Sequence, residues 1–492
     1  MRFHVRCVWL FVMVMGLALG GFGCAVCTLG APPSPRSPIA GAASIMSWGK
    51  PQQLSAGPSL SWEHTRVVAG PSGSAVAIFA HVTTQNAPHD YTALYASRYA
   101  ATSDTWTSEQ PLQSQPGNVL RSSLAADELG NALTVWLQQT PAGNTFFASR
   151  FSAATGQWSR ALQLTFPIDD TPTMRLAMSP TGDAVFVWTT LCKTLCKPVE
   201  HRVMAMRYAV AGDRWIQPPV PLNSARDTPS LWPAAALDAN GSTLVLWQQA
   251  DARGTQAIHG SWYNADTFQW CGDAILSRTN YGPASTPAIA MDAAGNAIAV
   301  WPQHVATLSG QLMQGIDSRR YDRASNTWQP SERIDSHISD YGGMFNPSIV
   351  IATNTGDALA GWLYIPHAPP LTGAAEGRVY VAAKDDWDIR PRFDRSVDPN
   401  NPRLGGTVLG GFPVLATDPA GDQVAFWSQS DHTAWASYQY APGNFRAPEP
   451  LMSAPGADVR AITGAMDLNG HATAVWIETT ADGDTLWVAR YQ

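Results

Sequence analysis

One phrase recurs along this chain and sharply limits what it can fold into: a short apolar run, Asp-x-x-Gly, a second apolar run, then a tryptophan. It reads DELGNALTVW ending at Trp136, DANGSTLVLW at Trp247, DAAGNAIAVW at Trp301, DPAGDQVAFW at Trp427 and DLNGHATAVW at Trp476. Copies lacking the aspartate are SPTGDAVFVW at Trp188, TNTGDALAGW at Trp362 and GPSGSAVAIF at Phe79. In all eight the aromatic lies six residues after the glycine. A period of this kind belongs to repeat architectures, in which one supersecondary unit cannot bury its apolar face alone.

A second phrase follows most copies: an apolar segment ending in an aromatic, with a large aromatic seven residues later. The pairs are Tyr99 with Trp106, Phe151 with Trp158, Tyr208 with Trp215, Tyr263 with Trp270, Tyr321 with Trp328 and Tyr438 with Phe445. The sixth copy is degenerate around Lys384 and Trp387. Six residues further on, most copies carry Leu or Ile: Leu112, Leu164, Leu276, Ile334 and Leu451. Each repeat thus holds four short apolar runs separated by turns. In the Asp-Gly turn the aspartate accepts a nearby backbone N–H, and the glycine tolerates positive φ. Four β-rich runs per repeat predict a four-stranded antiparallel propeller blade.

An open solenoid would need polar capping repeats, and none is seen. Instead the last repeat stops after its third strand, at Ala489-Arg490-Tyr491. Its missing fourth strand stands at the front: Trp48 and, six residues on, Leu54 reproduce the spacing of the other fourth strands. The expected fold is therefore all-β, an eight-bladed propeller over residues 48–492, closed by an N-terminal strand that completes the last blade. Closure removes the sheet edges that invite aggregation. The recurring tryptophans are assigned to the core, and Arg98, Arg150, Arg207, Arg320 and Arg490 to stacking on those rings or pairing with turn carboxylates.

The span 48–492 resembles the exported and envelope repeat β-propellers of bacteria, on the strength of AMDAAGNAIAVW and its copies with the trailing Arg-Tyr and Trp. It loosely resembles sialidase-type Asp-box propellers, but Asp292 and Trp301 are further apart than in that motif. In the quinoprotein dehydrogenases and the propeller lipoprotein of the outer-membrane assembly machine, the glycine stands closer to the tryptophan. These resemblances imply the fold and carry over no functional residue.

Arg2 and Arg6 precede an apolar run from Val8 to Leu19, which predicts a signal peptide over residues 1–23. Gly21-Phe22-Gly23-Cys24 resembles a bacterial lipobox with Cys24 as the lipidated residue; ordinary signal cleavage is the alternative. Residues 24–47 read as a Pro/Ala/Ser-rich tether. The expected address is a periplasmic or cell-surface lipoprotein, otherwise a secreted protein. Contact with the membrane is expected through the lipid anchor only. A net charge of −7 gives no footprint for nucleic acid.

The loops between second and third strands, and those crossing between blades, vary most in length and share one face, the expected binding surface. Candidate ligand residues there are Asp169, Asp170, Trp232, His304, Asp335, His337, Asp340, Tyr341, His367, Asp431 and His432. Asp335 and His337 offer two metal ligands where a site needs three or four, so no metal and no cofactor are expected. Cys192 and Cys196 stand inside one such loop, on either side of Lys-Thr-Leu, and predict a disulfide; Cys27 and Cys271 have no evident partner, and a bridge between the two is the alternative. The expected function is a monomeric ligand-binding or scaffolding module of the envelope, with a glycan or an envelope protein as partner. Alternatives are a carbohydrate-active hydrolase or lyase using carboxylates on the loop face, and a structural or display protein without a pocket.

Overall fold

The structure is a computed structural model that describes residues 46–492, apart from 84–90, 165–167, 169–171, 194–195, 197, 307–311, 337–342, 366–373, 390–412, 429–432, 440–444 and 452–457. The signal segment, Cys24, Cys27 and the tether up to residue 45 lie outside the described residues. Residues Met46–Gln492 form one compact unit.

Eight antiparallel sheets follow one another in chain order. Blade 1 opens with Leu60–Ala69, blade 2 with Asn118–Ala126, blade 3 with Met174–Met178 and blade 4 with Ser230–Leu237. Blades 5 to 8 open with Ala288–Met291, Gly343–Ile351, Val414–Thr417 and Asp458–Met466. These first strands lie against one another in an unbroken ring, blade 8 against blade 1, and so surround the axis.

The ring is sealed as expected. Gln52–Gly57 pairs antiparallel with Gly483–Tyr491, the third strand of blade 8, with Gln52 opposite Val488. Upstream, Trp48 bridges to Tyr491, and the Gly49 N–H donates to the Arg490 carbonyl at 2.7 Å. Trp48 thereby takes the place that Trp106, Trp215, Trp270 and Trp328 take opposite Tyr99, Tyr208, Tyr263 and Tyr321.

Local chemistry explains the repeat. The eight Asp-Gly-type turns place their glycines at φ between 75° and 101°, where a side chain would be strained. Asp127, Asp292 and Asp467 each accept the N–H four residues on, at 2.8, 2.8 and 2.9 Å. The second-strand tryptophans Trp136, Trp188, Trp247, Trp301, Trp362, Trp427 and Trp476 are all buried; an aromatic of this size removes roughly 150–250 Å² from water. The repeated arginines do not stack on those rings. Instead Arg207, Arg320 and Arg490 reach the next blade's tyrosine: Arg207 lies 3.9 Å from the Tyr263 ring centre, Arg320 5.4 Å from that of Tyr380, and Arg490 4.0 Å from that of Tyr99 across the seam. The reason is reach, since the arginine ends the third strand while the tryptophan sits deep in the second. Pairing with turn carboxylates does occur, as in Arg207 with Asp183 at 3.7 Å.

Candidate functional site

Of the sequence-nominated residues, Trp232, His304 and Asp335 are described, and they occupy separate environments. Trp232 is half exposed on the innermost strand of blade 4, at φ 52° directly before Pro233. His304 lies near the end of the second strand of blade 5, Ala297–Ala306, with Nδ1 3.1 Å from the Pro283 carbonyl oxygen. Asp335 is no loop residue: it lies buried in the fourth strand of blade 5, opposite Ile316. Asp169, Asp170, His337, Asp340, Tyr341, His367, Asp431 and His432 fall outside the described residues. Cys192 and Cys196 form a disulfide with Cα atoms 5.5 Å apart.

What the described residues do assemble is an arginine cluster on the innermost strands. Each such strand has the second strand at one edge and neighbouring blades on both faces, so an exposed side chain on it faces the axis. Blade 1 is strongly bulged there: Ser61 pairs with Ala80 and Arg66 with Ile78, so Trp62 to Thr65 stand opposite Phe79 alone. The Thr65 hydroxyl donates to the Ser61 carbonyl at 3.1 Å and closes the bulge. Bulges re-aim side chains, and this one leaves Trp62 58% exposed. In blade 8 Arg460 is the extra residue of a bulge between Val459 and Ala461, and is exposed. In blade 2, Arg121 follows a bulge and is exposed; in blade 3, Arg175 interrupts an otherwise apolar strand.

Charge at this end of the axis is uneven. Arg121 donates to Glu63 Oε2 at 2.9 Å. Arg66 donates to the carbonyl of its own neighbour Thr65 at 2.7 Å. Arg66 is open to water yet hemmed in by protein, as a channel side chain must be. Desolvation, and next the Arg175 charge, bring its pKa down to about 10. Arg175 is lowered too, by desolvation. His64, two residues before Arg66, is buried with Nδ1 3.0 Å from Ser122 Oγ. Burial first, then Arg66 and Arg121, depress it to about 4, so it is neutral at pH 7. Arg66, Arg121 and Arg175 thus gather around Glu63 and His64, while Trp62, Trp232 and Arg460 are exposed on innermost strands.

Two other polar groups lack catalytic geometry. Ser55 Oγ lies 3.1 Å from His81 Nε2, but Glu109 Oε2 approaches the same nitrogen at 2.9 Å. A base oriented for a nucleophile needs the acid on its other nitrogen. His259 Nδ1 bonds Asp273 at 2.8 Å beneath Trp247, and its Nε2 is buried; it serves packing. At the opposite end of the axis, Ala69, Ala126, Met178, Leu237, Met291, Ile351, Thr417 and Met466 close the channel to a cavity of about 250 Å³. Among the described residues no group of three or more His, Cys, Asp or Glu side chains is placed to hold a metal.

Arg66 and Arg175 were not anticipated. Their signal was available: a charged residue inside the first apolar run of a blade, in HTRVVA and MRLAM, where the other blades carry Ala, Ser, Thr or Val at the paired position.

No protein-family model matches the chain, and no curated protein matches it in sequence. Solved structures do share its fold. The Dos1 propeller superposes with a TM-score of 0.50 at 10% identity, over 90% of this chain and 95% of that one. A protein of unknown function from Dyadobacter fermentans gives 0.43 at 11% identity, over 91% and 100%. The polysaccharide lyase Uly1 gives 0.46 at 9% identity, over 74% and 88%. Likeness at such identities shows the propeller fold alone.

Proposed function

We propose that this protein is a ligand-binding propeller of the cell envelope that holds an acidic glycan at the loop-side mouth of its axial channel. The observation that carries the proposal is the pair Arg66 and Arg175. They are exposed on the innermost strands of blades 1 and 3, on either side of the exposed Arg121 of blade 2, and a carboxylate-bearing ligand would offset that concentration of positive charge. Arginine suits carboxylates because its planar fork gives two parallel charge-assisted hydrogen bonds. Trp62 and Trp232 offer flat apolar faces for sugar rings. Binding is favoured over hydrolysis or elimination because Glu63, the carboxylate beside these arginines, is paired with Arg121. Paired carboxylates at a set separation are what glycoside hydrolysis uses.

The envelope address rests on the leader over residues 1–23, on Cys24 as lipid acceptor and on the tether that follows. The experiment is calorimetric titration with oligogalacturonate and with uncharged cello-oligosaccharide. The acidic sugar binds and the neutral one does not. Affinity falls with rising salt, and Arg66→Ala and Arg175→Ala each weaken it about tenfold or more, as loss of a charge-assisted bond implies. Equal binding of both sugars, or arginine variants that bind as the parent does, would refute it.

A further inference from the structure

The turn face, opposite the arginine cluster, is uniform in length but not in chemistry. In blades 1, 3, 5 and 6 the third strand ends in a tyrosine whose hydroxyl donates to an Asp or Asn five residues on, held in the left-handed region. Tyr321 donates to Asn326 at 2.5 Å and Tyr380 to Asp385 at 2.7 Å; Tyr99 with Asp104 and Tyr208 with Asp213 match them. The acceptors stand at φ 51°, 45°, 53° and 55° for Asp104, Asp213, Asn326 and Asp385. Short polar side chains tolerate this region. Blade 4 departs from these four: Phe268 stands five residues after Tyr263, at φ 57° and 77% exposed. A bulky residue at positive φ is a true outlier, and strain of this kind collects at functional positions.

With no Asp or Asn five residues on, the Tyr263 hydroxyl keeps the contact to the preceding blade's arginine, accepting from Arg207 Nη1 at 2.5 Å, and Arg207 lies 3.9 Å from the Tyr263 ring centre. Beside it opens a groove of about 420 Å³ between blades 3 and 4, within the roughly 300–1,000 Å³ of small-molecule sites. Phe268, Trp270 and Ile216 form its apolar side, while Arg214 and Asn240 bring exposed polar ends to its rim.

We infer that this groove is a second saccharide site, separate from the axial one, in which a uronic acid ring lies its C–H face on Phe268 and Trp270 and turns its carboxylate to Arg214. Ring faces supply apolar contact that a sugar's axial C–H groups can use, and a free guanidinium at the rim selects an acidic substituent. The inference stands on the blade 4 anomaly and not on the arginine cluster.

The test uses the mature protein and trigalacturonate, titrated calorimetrically. Phe268→Asn restores the residue type of the other turns, so it should fold at least as stably as the parent. Expected is loss of one binding event in Phe268→Asn and at least a tenfold weakening of that event in Arg214→Ala. Both effects should persist in an Arg66→Ala/Arg175→Ala background. An Arg66→Ala/Arg175→Ala protein that still shows every event defeats the axial proposal and leaves this one standing. A parent that does not bind trigalacturonate, or a Phe268→Asn variant that binds it unchanged, overturns the groove.

Discussion

The indole N–H of Trp247 donates to Oε1 of Gln249 at 2.9 Å, inside the core. The amide end of the same glutamine donates to the Ala225 carbonyl at 2.8 Å, in the crossing segment from blade 3. The relay recurs from Trp136 through Gln138 to Gln115, and from Trp301 through Gln303 to Gly282. In blade 8 the acceptor is Glu478, 2.8 Å from Trp476 Nε1. One side chain therefore satisfies a buried tryptophan and pins the loop that enters the blade.

Gln249→Ala should cost about 2–3 kcal/mol, because it strands a buried donor and a buried acceptor together. Denaturant unfolding measures this. A loss under about 0.5 kcal/mol would mean that water replaces the amide.

Trp48 packs on Tyr491 and Phe426, with ring centres 5.4 and 5.9 Å apart. Trp48→Ala should therefore destabilise the whole propeller by about 2–4 kcal/mol. A chain beginning at Pro58 should expose Gly483–Tyr491 as an open edge and self-associate, which light scattering after size exclusion would detect. A monodisperse, equally stable truncation would show the N-terminal strand to be dispensable.

Asp418 is buried and, with Asp422 close by, its pKa rises to about 6. Its folded value lies above the unfolded one of roughly 4. Ionisation therefore destabilises the fold, with the penalty absent below pH 4 and complete above pH 6. Asp418→Asn keeps an acceptor for the Asp422 N–H, which now donates at 2.9 Å. It should gain about 1–3 kcal/mol at pH 7.5 and nothing near pH 4; melting curves at the two pH values decide it.

His64 should remain neutral until the pH approaches 4, since burial and then Arg66 and Arg121 oppose its protonation. A bound carboxylate near those arginines should raise that value. Imidazole chemical shifts followed through a pH titration, with and without saturating trigalacturonate, report it. An unchanged or lowered value with ligand would place the anion elsewhere.

Cys24→Ser should abolish incorporation of a clickable fatty acid and release the protein from the membrane fraction. Labelling that persists in the variant would remove the lipid anchor from the proposal.

The architecture was legible because it repeats: a spacing copied eight times signals a shared constraint, and Trp48 and Leu54 could be recognised as a displaced piece of it. Cys192 and Cys196 were legible because they stand so close in the chain. The site was not, for a physical reason. Arg66, Arg175 and Phe268 matter as departures from their repeat, and a departure acquires meaning only when bulges and turn conformations show where it points. Asp335 misled because it directly follows Ile334, the last position of the recurring fourth-strand spacing, and so looks like the start of a loop, yet it is buried opposite Ile316.

A crystal structure of the mature protein with hexagalacturonate bound would address the axial proposal at the level of atoms. The predicted result is a uronate carboxylate within hydrogen-bond distance of both Arg66 and Arg175, with a sugar ring against Trp62 or Trp232. Saturating ligand that leaves those two guanidinium groups bare would contradict it.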